Sequence, residues 1–394
     1  MLQRIRIALA LERNVLVLSA TILLLLASIY TWYPLLPLHF RDLGASDAQV
    51  GLAYSSLTIA FSLIQFAGGL LADRYGRKWL IALPTFIFIP LYILAGATRN
   101  WMTLLIALLI VNSLSALQLP AFMALLAESV SERRRGRAFG VLEFAVSLSV
   151  ALGPGLGAAL LPLVGIRALI HYTALISLLC ALLRAFGLRE ATHRPPPLSL
   201  GSLGYLRQAG FRWLLTAVCF FALTRVMTMW GPFVTLHAED ALGMEKPEIN
   251  ALFSLGGLAA MAASLLGGRL ADRYGSRNLL IASSLGHVLT MLLWALAGNS
   301  MVVGLAFFVT ASMGLQMGSV AYDALVTQAA SAGSRGAFVG LLGTITGLTS
   351  AAAPAFGAYL RGSFGSTAPF WAALGLGTAT ALSLSRVVPY REDS

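Results

Sequence analysis

Charged side chains are scarce in this sequence, at 11% of its 394 residues. Soluble globular domains carry about 25% charged residues, so this composition excludes an ordinary soluble protein. Hydrophobic residues make up 58%, and the mean hydropathy is +0.81. A membrane-spanning helix needs about 20 apolar residues, or roughly 33 with its share of loop, which leaves room for about twelve spans. We predict an all-α membrane protein with twelve transmembrane helices.

Cysteines, long polar segments and catalytic motifs are also rare. The two cysteines, Cys180 and Cys219, both lie in apolar segments, which gives no basis for a disulfide. The longest polar interval, 188–210, is too short for a soluble nucleotide-binding or DNA-binding domain. The sequence contains no HExxH, GxSxG or P-loop pattern, and its five histidines are scattered singly. We therefore predict no enzyme activity, no cofactor and no metal site.

Basic residues indicate the orientation in the membrane. The predicted spans are 15–40, 46–72, 79–97, 101–126, 136–161, 166–187, 211–237, 248–269, 278–297, 301–328, 336–360 and 367–386. Of the 27 Lys and Arg, 21 fall towards the two ends of the chain and around alternate loops, five fall in the opposite loops, and Arg225 lies inside a span. The positive-inside rule then puts both termini in the cytoplasm. The net charge of +11 thus reports topology in a plasma (inner) membrane, and we expect no nucleic acid partner.

The two halves of the sequence repeat. Residues 68–79 read GGLLADRYGRKW and residues 267–278 read GGRLADRYGSRN, so eight of twelve positions are identical at an offset of 199. Residues 131–144 resemble 331–344, and 153–158 resemble 353–358. An even number of spans in each half makes the repeats parallel in the membrane. We predict two pseudo-symmetric six-helix bundles, 1–187 and 211–394, joined by a cytoplasmic linker at 188–210.

The loop between spans two and three carries a family signature. Residues 69–78 read GLLADRYGRK and resemble the signature loop of the major facilitator superfamily, whose members are transporters built from two six-helix bundles. The two-bundle layout and the second copy extend the resemblance over the whole chain. It implies a conformational latch between the halves, formed by Gly69, Asp73, Arg74, Gly76, Arg77 and Glu128, with Asp272 and Arg273 in the second copy.

The latch has a physical basis in two of its parts. Asp73 lies at the cytoplasmic end of span two, where its carboxylate can accept hydrogen bonds from the N-terminus of span eleven. By the resemblance, Arg77 pairs with Glu128. The corresponding residues of the second half are Ser276 and Gln328, so both charges disappear together. The alternative to a latch is a solvated turn that only orients the protein.

Span five resembles the Gly-Pro motif of the proton-coupled drug antiporters, a twelve-helix branch of the superfamily. Ser149 and Ala158 replace two of the glycines expected in this motif. Drug antiporters often carry an arginine in span four, whereas residues 104–128 contain no basic residue. Small residues let membrane helices approach closely, so we predict helix packing at Gly140, Gly153, Pro154, Gly157, Gly340 and Gly357.

Arg225 is the most costly residue inside a predicted span. Span seven begins at residue 211, and Arg225 lies 14 residues further along, near the middle of the bilayer. Insertion of an arginine at this depth costs about 2.5–3.5 kcal/mol. Phe221, Thr228 and Met229 share its helical face, which forms a mixed aromatic and polar surface suited to an amphipathic ligand. We predict substrate binding here. A structural ion pair with an internal acid is the alternative.

Two acidic residues inside spans are candidates for proton coupling. Asp323 shares one face of span ten with Ser312, Gln316 and Ser319, and Glu143 lies in span five, about two turns from its cytoplasmic end. Desolvation favours a protonated carboxyl group, so either acid can bind a proton. For each, a hydrogen bond between helices is an equal alternative.

Three further polar residues complete the candidate substrate site. These are Tyr30 near the bent end of span one, Gln118 on span four and Gln316 on span ten. Prolines 34 and 37 bend or thin span one beyond Tyr30. Polar stripes such as those around Gln118 and Gln316 more often pack helices together than bind substrate.

These features predict a secondary transporter that works by alternating access. We expect proton-coupled efflux of amphipathic organic compounds by a monomer, with a small amphipathic substrate, protons and membrane lipids as its partners. The alternative is transport of an organic anion or an anionic lipid-like solute, which Arg225 would bind. A non-transporting receptor on this fold would show no flux in proteoliposomes.

Overall fold

The computed structural model describes residues 12–190, 209–298, 301–329 and 335–387, and within these ranges it contains helices and no strand. The all-α fold class is therefore confirmed. The helices are α1 (Arg13–Tyr30), α2 (Leu36–Asp42), α3 (Asp47–Tyr75), α4 (Arg77–Ala97), α5 (Trp101–Glu128), α6 (Arg135–Gly187), α7 (Ala209–Met227), α8 (Phe233–Asp240), α9 (Lys246–Tyr274), α10 (Ser276–Leu296), α11 (Met301–Ala329), α12 (Arg335–Ser350), α13 (Ala352–Phe364) and α14 (Ala368–Ser385).

These helices form twelve membrane spans. Among the described residues, eight segments are long and apolar enough to cross a membrane on their own. One of them, Glu132–Gly187, holds two spans, because Gly165 has a φ of 75° and breaks the helix between them. The other spans lie at 47–75, 209–240 and 368–385. Large apolar side chains such as Leu163 and Phe186 are more than 75% exposed, as expected of a surface that lipid covers.

Spans one, seven and eleven each consist of two helices. In span one, α1 ends at Tyr30 and α2 begins at Leu36. Pro34 and Pro37 lack the backbone N–H that a continuous helix requires, so the predicted bend is present. In span seven, α7 ends at Met227 and α8 begins at Phe233.

The chain forms two compact units. The first contains Met1–Ala45, Ala60–Pro196 and Glu245–Gly257. The second contains Ser46–Ile59, Pro197–Met244 and Leu258–Ser394. Each unit therefore combines most of one sequence half with the first part of a long helix from the other half. These units differ from the predicted bundles by that exchange of the starts of α3 and α9.

The sequence repeat extends to the backbone. Gly76 and Gly275, at the same position of the two copies, have φ values of 84° and 82°. Glycine adopts this left-handed conformation without steric cost, so each makes the sharp turn between two long helices. We call the end of each unit that carries this turn the proximal end, and the opposite end the distal end.

Glycines bring helices into backbone contact in the distal half of each unit. In the first unit, a Cβ atom added to Gly257 of α9 would lie 2.7 Å from the carbonyl oxygen of Val150 in α6. In the second, a Cβ atom on Gly51 of α3 would lie 2.7 Å from the carbonyl oxygen of Pro354 in α13. In both cases a helix from one half of the sequence packs directly on a helix from the other half.

The predicted packing positions fall into two groups. Added Cβ atoms at Gly153, Gly157 and Gly357 would clash with neighbouring helices, and Pro154 is buried. By contrast, a Cβ atom at Gly140 or Gly340 would meet no atom of the described residues within 4 Å. Helix packing at Gly140 and Gly340 therefore stays a prediction.

Candidate functional site

Arg225 lies in the last turn of α7 between two aromatic rings. Its Cζ atom is 4.7 Å from the ring centroid of Trp230 and 5.9 Å from that of Phe221. The Trp230 amide donates a hydrogen bond to the Arg225 carbonyl oxygen (2.9 Å), and this turn brings the indole back towards the guanidinium. Ring faces attract a cation with about 0.5–2 kcal/mol, so the two rings partly replace the water that Arg225 loses.

The Arg225 guanidinium is half-buried and has an acid in its neighbourhood. Asp323 and Tyr322 of α11 lie close enough to act on it electrostatically. In the described part of the chain, the hydrogen bonds at Arg225 use its carbonyl oxygen and not its guanidinium. Tyr322 also stacks on Phe221, with ring centroids 5.9 Å apart. Arg225 therefore faces a rim of aromatic and acidic side chains with its N–H donors available.

Thr228, which shares the helical face of Arg225, is engaged elsewhere. Its hydroxyl oxygen lies 2.8 Å from His287 Nε2, and His287 Nδ1 lies 2.8 Å from the carbonyl oxygen of Ala311. Since a carbonyl only accepts, Nδ1 carries the ring proton and Nε2 is left as an acceptor facing the Thr228 hydroxyl. That hydroxyl also lies 2.8 Å from the Thr224 carbonyl oxygen. His287 is thus an interior histidine with hydrogen-bond partners at both ring nitrogens. Thr228 is fully buried and packs α7 against α10, whereas Met229 is half-buried.

The two candidate proton-binding acids differ in their surroundings. Both Asp323 and Glu143 are exposed on their helices. Asp323 lies near Arg225, and Gln316 lies two turns away on the same face of α11, half-buried. Glu143 lies on α6 beside Phe144, which is 59% exposed. Within the second unit, Asp323, Gln316 and Arg225 thus form one candidate site.

The predicted substrate residues of the first unit have other contacts. Gln118 is buried, and its Nε2 donates to the carbonyl oxygen of Ile81 (2.9 Å) and to Thr85 Oγ1 (3.1 Å). It therefore ties α5 to α4, as a packing residue does. Tyr30 is half-buried, and its ring meets that of Tyr33 edge-on at a centroid distance of 6.2 Å.

Arg184 is a second intramembrane arginine, which the topology count includes among the 21 basic residues around the cytoplasmic loops and termini. In the structure it lies in α6 and is 1% exposed. Its guanidinium donates to Thr21 Oγ1 (3.0 Å) and Thr85 Oγ1 (2.8 Å) and lies over the Phe122 ring at 5.6 Å. The correction has a simple reason: a basic residue three positions before a span end looks like a cytoplasmic flank in sequence.

The family model of the Major Facilitator Superfamily matches residues 18–240 and 226–394. The chain belongs to this superfamily. It is a transporter, not an enzyme. Its relatives include the multidrug resistance efflux pump PmrA of Streptococcus pneumoniae, 28% identical over 312 residues that cover 72% of this chain and 73% of PmrA. The multidrug resistance protein MdtG of a Rahnella species is 27% identical over 294 residues, 70% of this chain and 69% of MdtG. These relatives agree with the predicted position near the drug-efflux branch.

Other similarities are shorter or concern the fold. An uncharacterized transporter of the superfamily from Methanocaldococcus jannaschii is 24% identical over 180 residues; the match spans 46% of this chain and about half of that protein (47%). The nucleoside transporter NupG has a TM-score of 0.80 at 14% identity, with 95% and 99% of the two chains covered. The human organic anion transporter MFSD10 has a TM-score of 0.68 at 19% identity, covering 94% and 99%. At these identities the structural matches establish the fold of the superfamily.

The superfamily signature turn contains the predicted ion pair. Arg77 and Glu128 form a salt bridge with both side chains largely buried. In the second copy, Gln328 Nε2 donates to Ser276 Oγ at 3.5 Å. The same two helix ends are therefore joined in both halves, by charges in one and by neutral groups in the other.

Other latch residues of the superfamily pattern are only partly described. The side chains of Asp73 and Arg74 and the surroundings of Gly69 lie outside the described residues, as do the side chains next to the predicted donor, the N-terminus of span eleven. Asp272 and Arg273 are exposed on the second copy.

Glu190, which the sequence analysis does not single out, caps the helix that follows the first signature turn. The Glu190 carboxylate accepts hydrogen bonds from the backbone amides of Arg77 (2.8 Å) and Lys78 (3.0 Å). A carboxylate at a helix N-terminus satisfies unpaired N–H groups and opposes the helix dipole. No sequence signal indicates this role, because Glu190 lies 113 residues from Arg77 in the predicted linker.

The distal ends carry ion pairs that sequence analysis misses. In the first unit, Lys246 of α9 donates to Asp42 of α2 at 2.6 Å. In the second unit, Arg361 of α13 bridges Asp47 of α3, at 3.1 Å, and Asp240 of α8. We call these the first clamp and the second clamp. Lys246 and Arg361 look like ordinary loop residues in the sequence, but the Arg361 side chain is only 6% exposed.

Proposed function

We propose that this protein is a secondary transporter that exports amphipathic organic compounds in exchange for protons by alternating access. By the positive-inside rule, the proximal ends face the cytoplasm, both termini are cytoplasmic, and the distal ends face outwards across the plasma membrane. Sequence similarity to PmrA and MdtG, which are named as multidrug resistance proteins, supports efflux. Membrane lipids and protons are the other partners in this proposal, and the transporter is a monomer.

The position of Asp323 beside Arg225 is the observation that supports this proposal best. An antiporter needs a group that holds either a proton or the substrate, but not both. The Asp323 carboxylate is exposed and lies near a fixed cation and two aromatic rings. A cationic amphiphile can place its charge on Asp323 and its apolar part on the half-buried ring of Tyr322. Phe221, predicted as a substrate contact, is only 1% exposed and packs behind Tyr322. A proton on the same carboxylate removes that charge and releases the ligand.

Arg225 has a tuning role in this scheme. Its positive charge favours the ionised form of a nearby carboxylate and repels a substrate cation that comes too close. The ring faces of Trp230 and Phe221 hold the guanidinium in place at this position. Exchange at Asp323 is then sensitive to substrate charge and to pH.

The test is uphill transport in proteoliposomes under an imposed pH gradient. Asp323→Asn should abolish gradient-driven accumulation of a fluorescent amphipathic cation, yet retain substrate exchange at equal pH. Exchange needs only the substrate-bound conformational change, whereas coupled flux needs a proton on the same carrier. Glu143→Gln is the matched control, since it removes an exposed acid from α6 without touching the Arg225 site. If Asp323→Asn accumulates substrate as well as wild type, Asp323 is not the coupling residue.

The alternative function is transport of an organic anion or an anionic lipid-like solute. The availability of the Arg225 N–H donors favours it, because guanidinium binds carboxylate and phosphate in a bidentate manner. In that case an anionic amphiphile, and not a cationic one, should stabilise the purified protein in a thermal shift screen.

The signature turn is the proposed conformational latch. In this proposal Gly69, Asp73 and Arg74 act with the Arg77–Glu128 pair, and Asp272 and Arg273 act at the second copy. The buried position of the first pair supports a role beyond orientation of the loop, because an exposed ion pair contributes only about 0–1 kcal/mol.

A further inference from the structure

Both units repeat a short histidine element at the distal end. Residues 38–42 read LHFRD and residues 236–240 read LHAED, an offset of 198. His39 is 2% exposed and His237 is 1% exposed. Each histidine lies three residues before the aspartate of a clamp, on the same short helix, α2 or α8. The first clamp pairs a lysine with one aspartate, and the second pairs an arginine with two aspartates. The histidine and the aspartate three residues after it are present in both copies.

In its neutral form, His237 has one ring nitrogen that carries no proton. Its Nε2 lies 3.0 Å from the carbonyl oxygen of Ala295, so Nε2 carries the proton and Nδ1 is the acceptor. Nδ1 is buried, and the backbone of Ser366 lies close enough to the imidazole to interact with it as a second hydrogen-bond acceptor. The rings of Trp294 and Phe370 pack on the imidazole, each at a centroid distance of 5.3 Å. A second proton would therefore enter at Nδ1, inside an aromatic enclosure.

His39 is enclosed in a similar way in the first unit. Both of its ring nitrogens are buried, and neither makes a hydrogen bond to a described residue. Buried polar atoms are normally paired, so the two unpaired ring nitrogens of His39 call for an explanation. Neutral histidine tolerates this enclosure far better than the charged form, because transfer of a charge into apolar surroundings is costly.

The charged groups around each histidine come from several helices. His39 is within electrostatic range of Asp42 on its own helix, Arg167 on α6 and Lys246 on α9. His237 is within range of Asp240 on its own helix and Arg361 on α13, and Arg361 also holds Asp47 of α3. In each unit, the basic residue of the clamp therefore shares its aspartate with a nearby imidazole.

We propose that His39 and His237 are proton-binding sites of the two clamps, and that protonation from the distal side releases the clamps. A protonated imidazole competes with Lys246 for Asp42, and with Arg361 for Asp240, from three residues away on the same helix. It also repels those two cations. Release frees the distal start of α9 from α2, and that of α3 from α13. This proposal rests on the proposed alternating-access function, in which access from the outer side opens and closes.

Electron–electron distance measurements on spin-labelled protein test the proposal directly. One label pair, at Ala48→Cys and Ser363→Cys, reports the second clamp; another, at Leu43→Cys and Glu248→Cys, reports the first. Cys180 and Cys219 are replaced by alanine beforehand. The pH is lowered from 8 to 5.5, which stays above the ordinary pKa range of aspartate. Because each clamp then binds one proton, the ratio of long to short label distances should rise about tenfold in protein whose histidines are unchanged.

Neutral variants identify the groups that respond. His237→Gln should reduce the change at the second clamp to less than about twofold, and His39→Gln should do the same at the first. His171→Gln is the control, because His171 is exposed and no clamp contains it; its response should equal that of the wild type. A full response in the double variant His39→Gln/His237→Gln would overturn the proposal. So would distances in wild-type protein that do not change with pH, whether or not the variants fold.

This experiment separates the clamps from the proposed transport function. The distances are measured without substrate or flux, so a failed uphill-transport assay leaves the clamp result standing. Conversely, if the label distances do not change with pH, the clamp proposal fails, but proton coupling at Asp323 is unaffected.

Discussion

Arg184 in the first unit and Arg225 in the second are both arginines inside membrane spans, yet they are held in opposite ways. Arg184 is buried and donates to two threonine hydroxyls. Arg225 is half-buried between two ring faces, and its guanidinium makes no hydrogen bond to a described residue. The difference shows two ways to offset the cost of an arginine inside a membrane. Hydroxyl acceptors on other helices can bind the guanidinium and cross-link those helices. Alternatively, an aromatic cradle, here the rings of Trp230 and Phe221, can contact the guanidinium and leave its N–H donors available.

The direction of the Arg184 side chain reinforces this contrast. Arg184 lies three residues before the end of α6, whereas Thr21 and Thr85 each lie eight residues into α1 and α4. Eight residues of helix correspond to about 12 Å of depth. The guanidinium therefore points into the unit and away from the nearby proximal end, which is the reverse of snorkelling. It joins three helices, α1, α4 and α6.

The largest expected effect breaks this cross-link. Arg184→Ala should lower the free energy of unfolding in detergent by about 2–4 kcal/mol, through two lost charged hydrogen bonds and the cavity that remains. A thermal denaturation series on the purified protein measures this loss. Arg184→Met is the matched variant: it fills most of the volume without a buried charge, so it should lose less. An unchanged midpoint in Arg184→Ala would contradict the structural role.

These two arginines also define what sequence reasoning can reach. Arg225 stands near the middle of an apolar run, so its cost is visible and its importance is predictable. Arg184 stands near a span end, where a basic residue is the normal sign of a cytoplasmic flank. Its function depends on Thr21 and Thr85, which lie 163 and 99 residues away. Hydropathy fixes depth along one helix, and it carries no information about which neighbour a side chain reaches.

For the same reason, the fold could be predicted from the sequence more completely than the candidate site. The twelve spans and the two copies of the signature turn follow from periodic composition and from repeated residues. The Arg361 cluster does not, because Arg361, Asp47 and Asp240 are each ordinary charged residues at span ends. Their connection exists only after α3, α8 and α13 have packed within the second unit.

The second effect should fall on transport and spare stability. Arg225→Ala should leave the unfolding free energy within about 1 kcal/mol of wild type, since ring contacts of this kind contribute only that much. Transport should fall about 10- to 100-fold if Arg225 acts on substrate or on Asp323 through a charged interaction. Flux and thermal denaturation on the same preparation check both statements. Stability losses equal to those of Arg184→Ala would remove the contrast between the two arginines.

Lysine at the same position sharpens the interpretation. Arg225→Lys keeps the charge but loses the planar donor fork. If Arg225 only tunes Asp323, the lysine variant should retain most of the coupled transport of a cationic amphiphile. If Arg225 binds an organic anion, the lysine variant should bind that anion more weakly than wild type and more strongly than Arg225→Ala.

The smallest expected effect concerns the aromatic cradle itself. Trp230 is 56% exposed, so its removal leaves no buried cavity, and the change isolates its contact with Arg225. Trp230→Leu should therefore reduce transport about two- to fivefold, which corresponds to the roughly 0.5–1 kcal/mol of an exposed cation–π contact. The transport rate of Trp230→Phe should lie between those of wild type and Trp230→Leu, because phenylalanine keeps a ring face that attracts a cation more weakly. The same substitutions in the Arg225→Ala background should have no further effect, since the partner is gone. Equal losses with and without Arg225 would mean that Trp230 acts on substrate directly, and that the cradle is not what keeps Arg225 in place.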